Sequence, residues 1–365
     1  MQHTLKYAWH NDVKEGARQL GSCRIVVIGV GGAGNNTVTR LMEMGVVGAE
    51  CIAVNTDALH LRTSKAHQKI LIGEKLTKGL GVGGDPKLGR EAIEESKKHI
   101  EELLSNADIV FITAGLGGGT GTGAAPVIAK IARKKGAITV GVVTTPFRIE
   151  KGRIEYASLA LTELRRHCDT VVVIDNNKLM KLVPQLPIND AFRVADQVLA
   201  NMIKGITETI SSPSLINLDL ADFKTVARRG GVAVIGVGES DAPNRAEEAV
   251  RNALRSPLLD VDYFGAKGAL IHVTGDSQMT IEEANRVGEI VTEMMDKNAL
   301  VIWGARVNPE LNGKLKVTLV MTGINSSHIL SWLETIAPQL YNLDPYAEPE
   351  KPLTIDLNLY QMENF

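Results

Sequence analysis

The stretch Gly117-Gly118-Gly119-Thr120-Gly121-Thr122-Gly123 decides how this chain is read. It follows an apolar run, Ile109-Val110-Phe111-Ile112, and precedes a segment carrying Val127 and Ile128, so it joins a buried strand to a helix. Five glycines in seven residues lose too much backbone entropy on folding to be a favoured structural default. They read as a nest of backbone N–H donors, assisted by the Thr120 and Thr122 hydroxyls. A second glycine loop, Gly29-Val30-Gly31-Gly32-Ala33-Gly34-Asn35-Asn36, follows Ile25-Val26-Val27-Ile28 and opens another helix, whose N-terminus offers free N–H groups and a favourable dipole. Two such loops at the carboxyl ends of parallel strands can hold a di- or triphosphate from both sides.

Taken alone, the loop at 29–36 also fits a dinucleotide fingerprint, with Asp57 at nearly the distance that receives a ribose hydroxyl. A nicotinamide-dependent oxidoreductase is therefore the alternative enzyme reading, although it leaves residues 117–123 without a role. A third cluster, Gly79-Leu80-Gly81-Val82-Gly83-Gly84-Asp85, either closes over a terminal phosphate or is a surface turn. Neither phosphate loop ends in G-K-[ST], so phosphate charge is expected to be met by amides, helix dipoles and Mg²⁺ and not by a loop lysine.

Further apolar runs at 51–54, 139–143 and 171–174 lack alternation, as strands covered on both faces should. With a crossover helix expected at 91–104, they predict a doubly wound, Rossmann-like α/β domain over 24–188. Asn189 as a cap, followed by Phe192, Ala195, Val198, Leu199, Met202 and Ile206, predicts a long central helix within 189–212, stopped by Pro213. A connection at 213–229 leads to a smaller α/β domain at 230–323. Its expected strands are at 232–237, 269–273, 300–303 and 317–321, and Thr280 and Glu283 are expected to form a capping box. Residues 1–23 read as a polar extension, and 324–365 as a terminal segment with a mobile tail.

The chain has 365 residues, 44% hydrophobic and 22% charged, enough for a large core. A formal charge of -2 without a basic block gives no footprint for nucleic acid. Cys23, Cys51 and Cys168 are too scattered for a zinc site or a disulfide framework, which fits a reducing compartment. The N-terminus does not read as a signal peptide, and no apolar run is long enough to span a membrane.

In combination these motifs, with Asn55-Thr56-Asp57, Pro146-Phe147, Glu150, Arg153 and Asn217-Leu218-Asp219-Leu220-Ala221-Asp222, resemble FtsZ, the prokaryotic relative of tubulin. The resemblance covers about 24–323. The stretch Ile174-Asp175-Asn176-Asn177-Lys178-Leu179 and the lack of a long linker look like the archaeal branch and its second division-associated subtype. Asp175 departs from the family's usual proline, and Leu220 from its usual phenylalanine. The resemblance implies a tubulin/FtsZ-like fold, GTP or GDP with Mg²⁺ as ligands, a cytoplasmic division ring, and head-to-tail assembly of the chain with itself. It also implies that Gly31, Gly32 and Asn35 lie at the phosphates, Asp57 near Mg²⁺ or its waters, and Gly81, Gly83 and Gly84 near the γ-phosphate. No side chain is assigned as a direct metal ligand. Gly117, Gly118, Gly119, Thr120, Gly121 and Thr122 would cradle the phosphates, Glu150 and Arg153 would lie near the sugar, and Asn176, Phe192 and Asp196 would recognise guanine. Phe192 and Asp196 share a helix face, so a ring could stack on the base while a carboxylate accepts from guanine's donor pair. On local sequence alone, Phe192 reads more readily as core and Glu150/Arg153 as a surface pair.

Asn217, Asp219 and Asp222 suit the positioning and deprotonation of water, or else simple helix capping or a solvated acidic turn. They lie beyond a rod roughly 30 Å long from their own glycine loops, which disfavours action in cis. By the resemblance they enter the neighbouring subunit's pocket, so that hydrolysis depends on assembly, while a non-hydrolysing filament scaffold is the remaining alternative. In the tail, Leu353, Ile355, Leu357 and Leu359 alternate like a strand, either as a peptide for membrane-tethering adaptor proteins or as a segment docked on the second domain.

Overall fold

The structure is a computed structural model, and it describes residues 23–178, 185–211, 214–216, 218–229, 232–254 and 264–324. Six parallel strands, β1 (Ile25–Val30), β2 (Ala49–Asn55), β3 (Gln68–Leu71), β4 (Ile109–Gly115), β5 (Ile138–Thr145) and β6 (Thr170–Asp175), lie in the order β3-β2-β1-β4-β5-β6. This is the strand order of a dinucleotide-binding Rossmann sheet. Along β1, Ile25 and Val27 enter one hydrophobic core while Val26, Ile28 and Val30 enter the other. The period of two within an all-apolar run is why the run reads as a strand buried on both faces.

Helix α1 (Gly31–Glu43) and the central helix (Ile188–Ser211) cover one face. The other carries α4 (Pro86–Glu95), α5 (Lys97–Leu103), α6 (Thr120–Lys134) and α7 (Lys151–His167), with the short helices α2 (Ala58–Thr63) and α3 (Glu74–Thr77) at the β2–β3 end. The central helix buries Ala195, Leu199, Met202, Ile203 and Ile206, the stripe its three- and four-residue spacing anticipates. Its 24 residues span about 36 Å.

Four more strands, β7 (Val232–Ser240), β8 (Ala266–Gly275), β9 (Met295–Val307) and β10 (Leu315–Ile324), continue the sheet as β7-β10-β8-β9. The pairs of β10 with β7 and with β8 are antiparallel, and β8 pairs β9 in parallel. One residue pair, Val171 with Val232, joins β6 to β7. Helices Arg245–Leu254 and Ile281–Thr292 pack on this half. The expected capping box is present: the Thr280 hydroxyl accepts from the Glu283 N–H at 3.1 Å, and the Glu283 carboxylate accepts from the Thr280 N–H at 2.9 Å.

The structure corrects several expectations. The single helix expected at 91–104 is two, broken at Ser96, whose φ of -97° and ψ of 7° leave the helical region. Strand β3 escapes an apolar-run search because its Gln68 and Lys69 are exposed at the sheet edge. Asn189 is not the cap of the central helix, since the helix starts at Ile188 and the Pro187 carbonyl accepts from Asp190 and Ala191. Strand β9 is much longer than expected because its first residues, Asp296, Lys297 and Asn298, are polar and exposed. The catalytic loop and connection expected at 213–229 contains a helix, Leu220–Ala227, and Asp219 caps it as the capping alternative had it. Pro213 and the tail lie outside the described residues.

Candidate nucleotide site

Strands β1 and β4 are neighbours, so the helices that follow them, α1 and α6, begin side by side at one edge of the sheet. Neither first turn is capped by a side chain, and their N–H groups concentrate positive potential at that edge. The loops are pressed together: a methyl on Gly31 would lie 2.9 Å from the Gly121 nitrogen, and one on Gly123 would lie 2.1 Å from the Pro86 carbonyl. A methyl on Gly119 would strike Val82 at 2.4 Å. Part of the glycine demand is therefore close backbone packing against α4 and the 79–84 loop. Gly118, by contrast, has no neighbour within 4 Å, and Gly32 faces only the His60 ring. Those are the positions left open for a ligand.

The threonines brace the loop. Thr120 and Thr56 share a 2.7 Å hydroxyl hydrogen bond, and the Thr122 hydroxyl accepts from the Gly117 N–H at 2.8 Å. Asn35 is fully buried on α1, yet neither its amide nitrogen nor its oxygen has a partner. An unsatisfied buried amide is costly, and its place one turn into an uncapped helix fits a polar, anionic ligand. Asp57 caps α2 by accepting from the His60 N–H at 3.0 Å. The 79–84 loop docks beside it, where the Gly81 N–H donates to the Thr56 carbonyl at 3.1 Å, and Gly81, Gly83 and Gly84 hold φ of 82°, 60° and 88°. Among the described residues no cluster of His, Cys, Asp and Glu forms a metal cage. A lone carboxylate beside a phosphate site suits Mg²⁺, which takes one or two carboxylates with phosphate oxygens and water.

A cleft of about 550 Å³ runs between α1 and the central helix, lined by Gly32, Thr37, His60, Asn176, Phe192 and Asp196 among others. Phe192 is 39% exposed and packs edge-to-face with Phe147 at 5.8 Å, so the core reading of Phe192 does not hold. The Asp196 carboxylate accepts from the Thr37 hydroxyl at 3.3 Å, and burial pushes it up to about 6 against the opposing pull of Thr37 and Arg40. The Asn176 amide oxygen is buried without a partner. Glu150 accepts from the Phe147 N–H at 2.9 Å and pairs with Arg153 at 2.5 Å, and Arg153 lies against Gly117 at the mouth of the glycine loop. Thr37 and His60 escaped the sequence reading, while Phe147 entered it only within the Pro146-Phe147 motif and Asn189 only as a helix cap. Thr37 had one available signal: it lies one helical turn beyond the glycines that open α1.

Asp219 and Asp222 stand apart from this cleft. Asp219 caps the helix Leu220–Ala227 by accepting from the Asp222 N–H at 2.8 Å, and Asp222 accepts from the Asp219 N–H at 3.1 Å. Each carboxylate uses one oxygen in this reciprocal cap and keeps the other free of it. The segment is moored to the second half of the sheet: Ile216 bridges Ala305 of β9, and buried Leu218 packs on Gly304. Asn217 lies outside the described residues.

Comparison with known proteins agrees with this architecture. Residues 24–184 match the Tubulin/FtsZ family, GTPase domain, and residues 231–325 match the FtsZ family, C-terminal domain. The chain is 57% identical over 315 residues to "Cell division protein FtsZ 2" of Methanocaldococcus jannaschii, covering 86% of this chain and 83% of that protein. It is 53% identical over 340 residues to "Cell division protein FtsZ 1" of Pyrococcus furiosus, covering 93% and 89%. Among solved structures, an empty FtsZ dimer of M. jannaschii superposes with a TM-score of 0.77 at 54% identity, covering 82% of this chain and 88% of that one. With its Rossmann-like sheet, its paired glycine loops and its smaller C-terminal domain, this chain belongs to the tubulin/FtsZ family.

Proposed function

We propose that this chain is an FtsZ of the archaeal second subtype, which assembles head to tail and hydrolyses GTP to GDP and phosphate at a site shared by adjacent subunits. The buried, unpartnered amide of Asn35 between two uncapped helix N-termini carries the nucleotide reading. Gly31, Gly32 and Asn35 on one side, and Gly117, Gly118, Gly119, Thr120, Gly121 and Thr122 on the other, hold the phosphates. Gly81, Gly83 and Gly84 face the terminal one. Glu150 and Arg153 meet the sugar, Phe192 stacks on the base, and Asp196 with Asn176 reads the guanine edge. Mg²⁺, bound with the nucleotide and approached by Asp57 through water, neutralises phosphate charge. The functional divisions are then 24–188 for nucleotide binding, 189–212 as the central rod, 213–229 as the catalytic connection and 230–323 as the smaller domain.

Hydrolysis needs a positioned water that loses a proton. Asp219 and Asp222 supply carboxylates with free oxygens, and Asn217 can donate to and accept from the same water. The 24-residue rod separates them from their own cleft, which supports delivery to the next subunit. Such an interface is heterologous and propagates as a filament when it does not close. Likeness to relatives named for cell division supports a cytoplasmic filament at the division ring, with residues 324–365 addressing adaptor proteins.

Phosphate release and light scattering, followed together across protein concentration with GTP, ATP or no nucleotide, test this reading. GTP-selective assembly and a specific activity that rises above a threshold concentration are expected. Equal turnover per chain at every concentration, with no polymer, would overturn the shared site. Mixing a chain damaged at Gly118 with one damaged at Asp219 should restore turnover that neither has alone.

A further inference from the structure

Folding gathers two short basic runs that are far apart in the chain. Lys130, Arg133, Lys134 and Lys135 close α6, and Arg165 and Arg166 close α7. All six are exposed, and among the described residues none forms an ion pair with a carboxylate. The Arg133 guanidinium donates to the Arg166 carbonyl, which ties the two helix ends into one surface. Nearby acids are already engaged: Glu163 pairs with Arg90, and Asp169 accepts from the Thr139 N–H at 2.8 Å and faces Arg228 at 4.0 Å. A chain of formal charge -2 thus carries six cations at two adjoining helix ends with no carboxylate partner among the described residues.

The sheet topology brings the end of the described chain to the same place. Strand β6 begins at Thr170, just after α7, and its Val171 pairs with Val232. On its other side Val232 pairs with Ile324, the last residue of β10. Neighbouring strands lie about 4.8 Å apart, so Ile324 lies about 10 Å from Val171, at the start of the strand that follows α7. The C-terminal stretch beyond this exit is acidic: residues 344–365 hold Asp344, Glu348, Glu350, Asp356 and Glu363 against the single Lys351.

We propose that the acidic stretch 344–365 folds back onto the basic surface at the ends of α6 and α7 of the same chain, as a salt-labile clasp. The residues between Ile324 and Asp344 span at most about 65 Å even if fully extended, which covers the distance. Tethering on that scale raises the local concentration of the acidic stretch to the order of millimolar, so a weak many-charge contact suffices. The C-terminal ends of helices disfavour anions, so side-chain cations carry the contact and it is diffuse. The clasp holds Leu353, Ile355, Leu357 and Leu359 close to the core until salt or a partner releases them. A second copy or an anionic membrane could occupy the same surface.

Zero-length carbodiimide coupling on the full chain, with peptide mapping, separates these occupants when unlabelled and ¹⁵N-labelled chains are mixed. Links within one chain from Lys130, Lys134 or Lys135 to Asp344, Glu348 or Glu350 are expected, falling about fivefold between about 50 mM and about 500 mM salt. The Arg165→Glu/Arg166→Glu variant keeps every lysine and its GTP turnover, and should lose these links by a similar factor. Links spread evenly over surface lysines, or running mainly between chains, overturn the clasp. A wild-type chain that sediments with phosphatidylglycerol/phosphatidylcholine vesicles as fully as an Asp344→Asn/Glu348→Gln/Glu350→Gln variant has its basic face open to a membrane, and that also overturns it.

Discussion

Asp196 must be charged to accept guanine's two donors, yet burial lifts its carboxyl to about 6. GTP affinity should be flat near neutrality and about tenfold weaker at pH 5, where a proton must leave first; fluorescence titration of the nucleotide-free chain reads this directly. Because this folded-state value lies above the unfolded one near 3.8, stability falls as pH rises from about 4, and the loss is complete above about pH 6. Asp196→Asn should therefore lose GTP discrimination while stabilising the nucleotide-free chain by about 1 kcal/mol in urea unfolding. The glycines divide in the same way between binding and folding. Gly123→Ala drives a methyl into the Pro86 carbonyl and should destabilise by about 2–3 kcal/mol. Gly118→Ala meets nothing, so it should leave stability within about 0.5 kcal/mol and weaken only GTP binding. Sequence shows that residues 117–123 are exceptional. It cannot show this division of labour, because Pro86 and Val82 press on the loop from a distant segment.

At the scale of elements, the helix Leu220–Ala227 changes how its acidic residues must be tested. Asp219→Ala removes the helix cap as well as the carboxylate and should cost about 1 kcal/mol of stability in addition to turnover. Asp219→Asn keeps a capping oxygen, so it should unfold like the wild type yet hydrolyse GTP about 100-fold more slowly under assembly conditions. The capping box at Thr280 and Glu283 was legible because Thr-x-x-Glu before a helix is a familiar pattern. Asp-x-x-Asp serves the same geometry at 219–222 with a shorter side chain, and on the sequence alone it competed with a solvated turn. The central helix was legible from periodicity. The break at Ser96 was not, since the apolar positions on both sides keep helical spacing across it.

Across the whole molecule, His272 is 3% exposed on β8 and hydrogen-bonds through Nε2 with the Ser214 hydroxyl at 3.2 Å, tying the end of the rod region to the second half of the sheet. Burial, reinforced by Arg306 and Lys316, pushes its imidazole down to about 4. Stability tied to the neutral ring is thus complete above the unfolded value near 6.5 and is lost as pH falls through about 4, by about 3 kcal/mol in all. Urea midpoints measured across that window should fall steeply in the wild type and flatten in His272→Gln. The two sheet halves were legible as separate runs of strands, but their union through Val171 and Val232 depends on how the halves are oriented, which no local pattern records. That seam has a consequence for synthesis. The sheet β3-β2-β1-β4-β5-β6 draws on nothing beyond Asp175, whereas in the other half β10, the last of the described strands, lies between β7 and β8. On the ribosome the first half can close once the central helix that covers its face has emerged, while the rest is still being translated; the second must wait until Ile324 has left the exit tunnel.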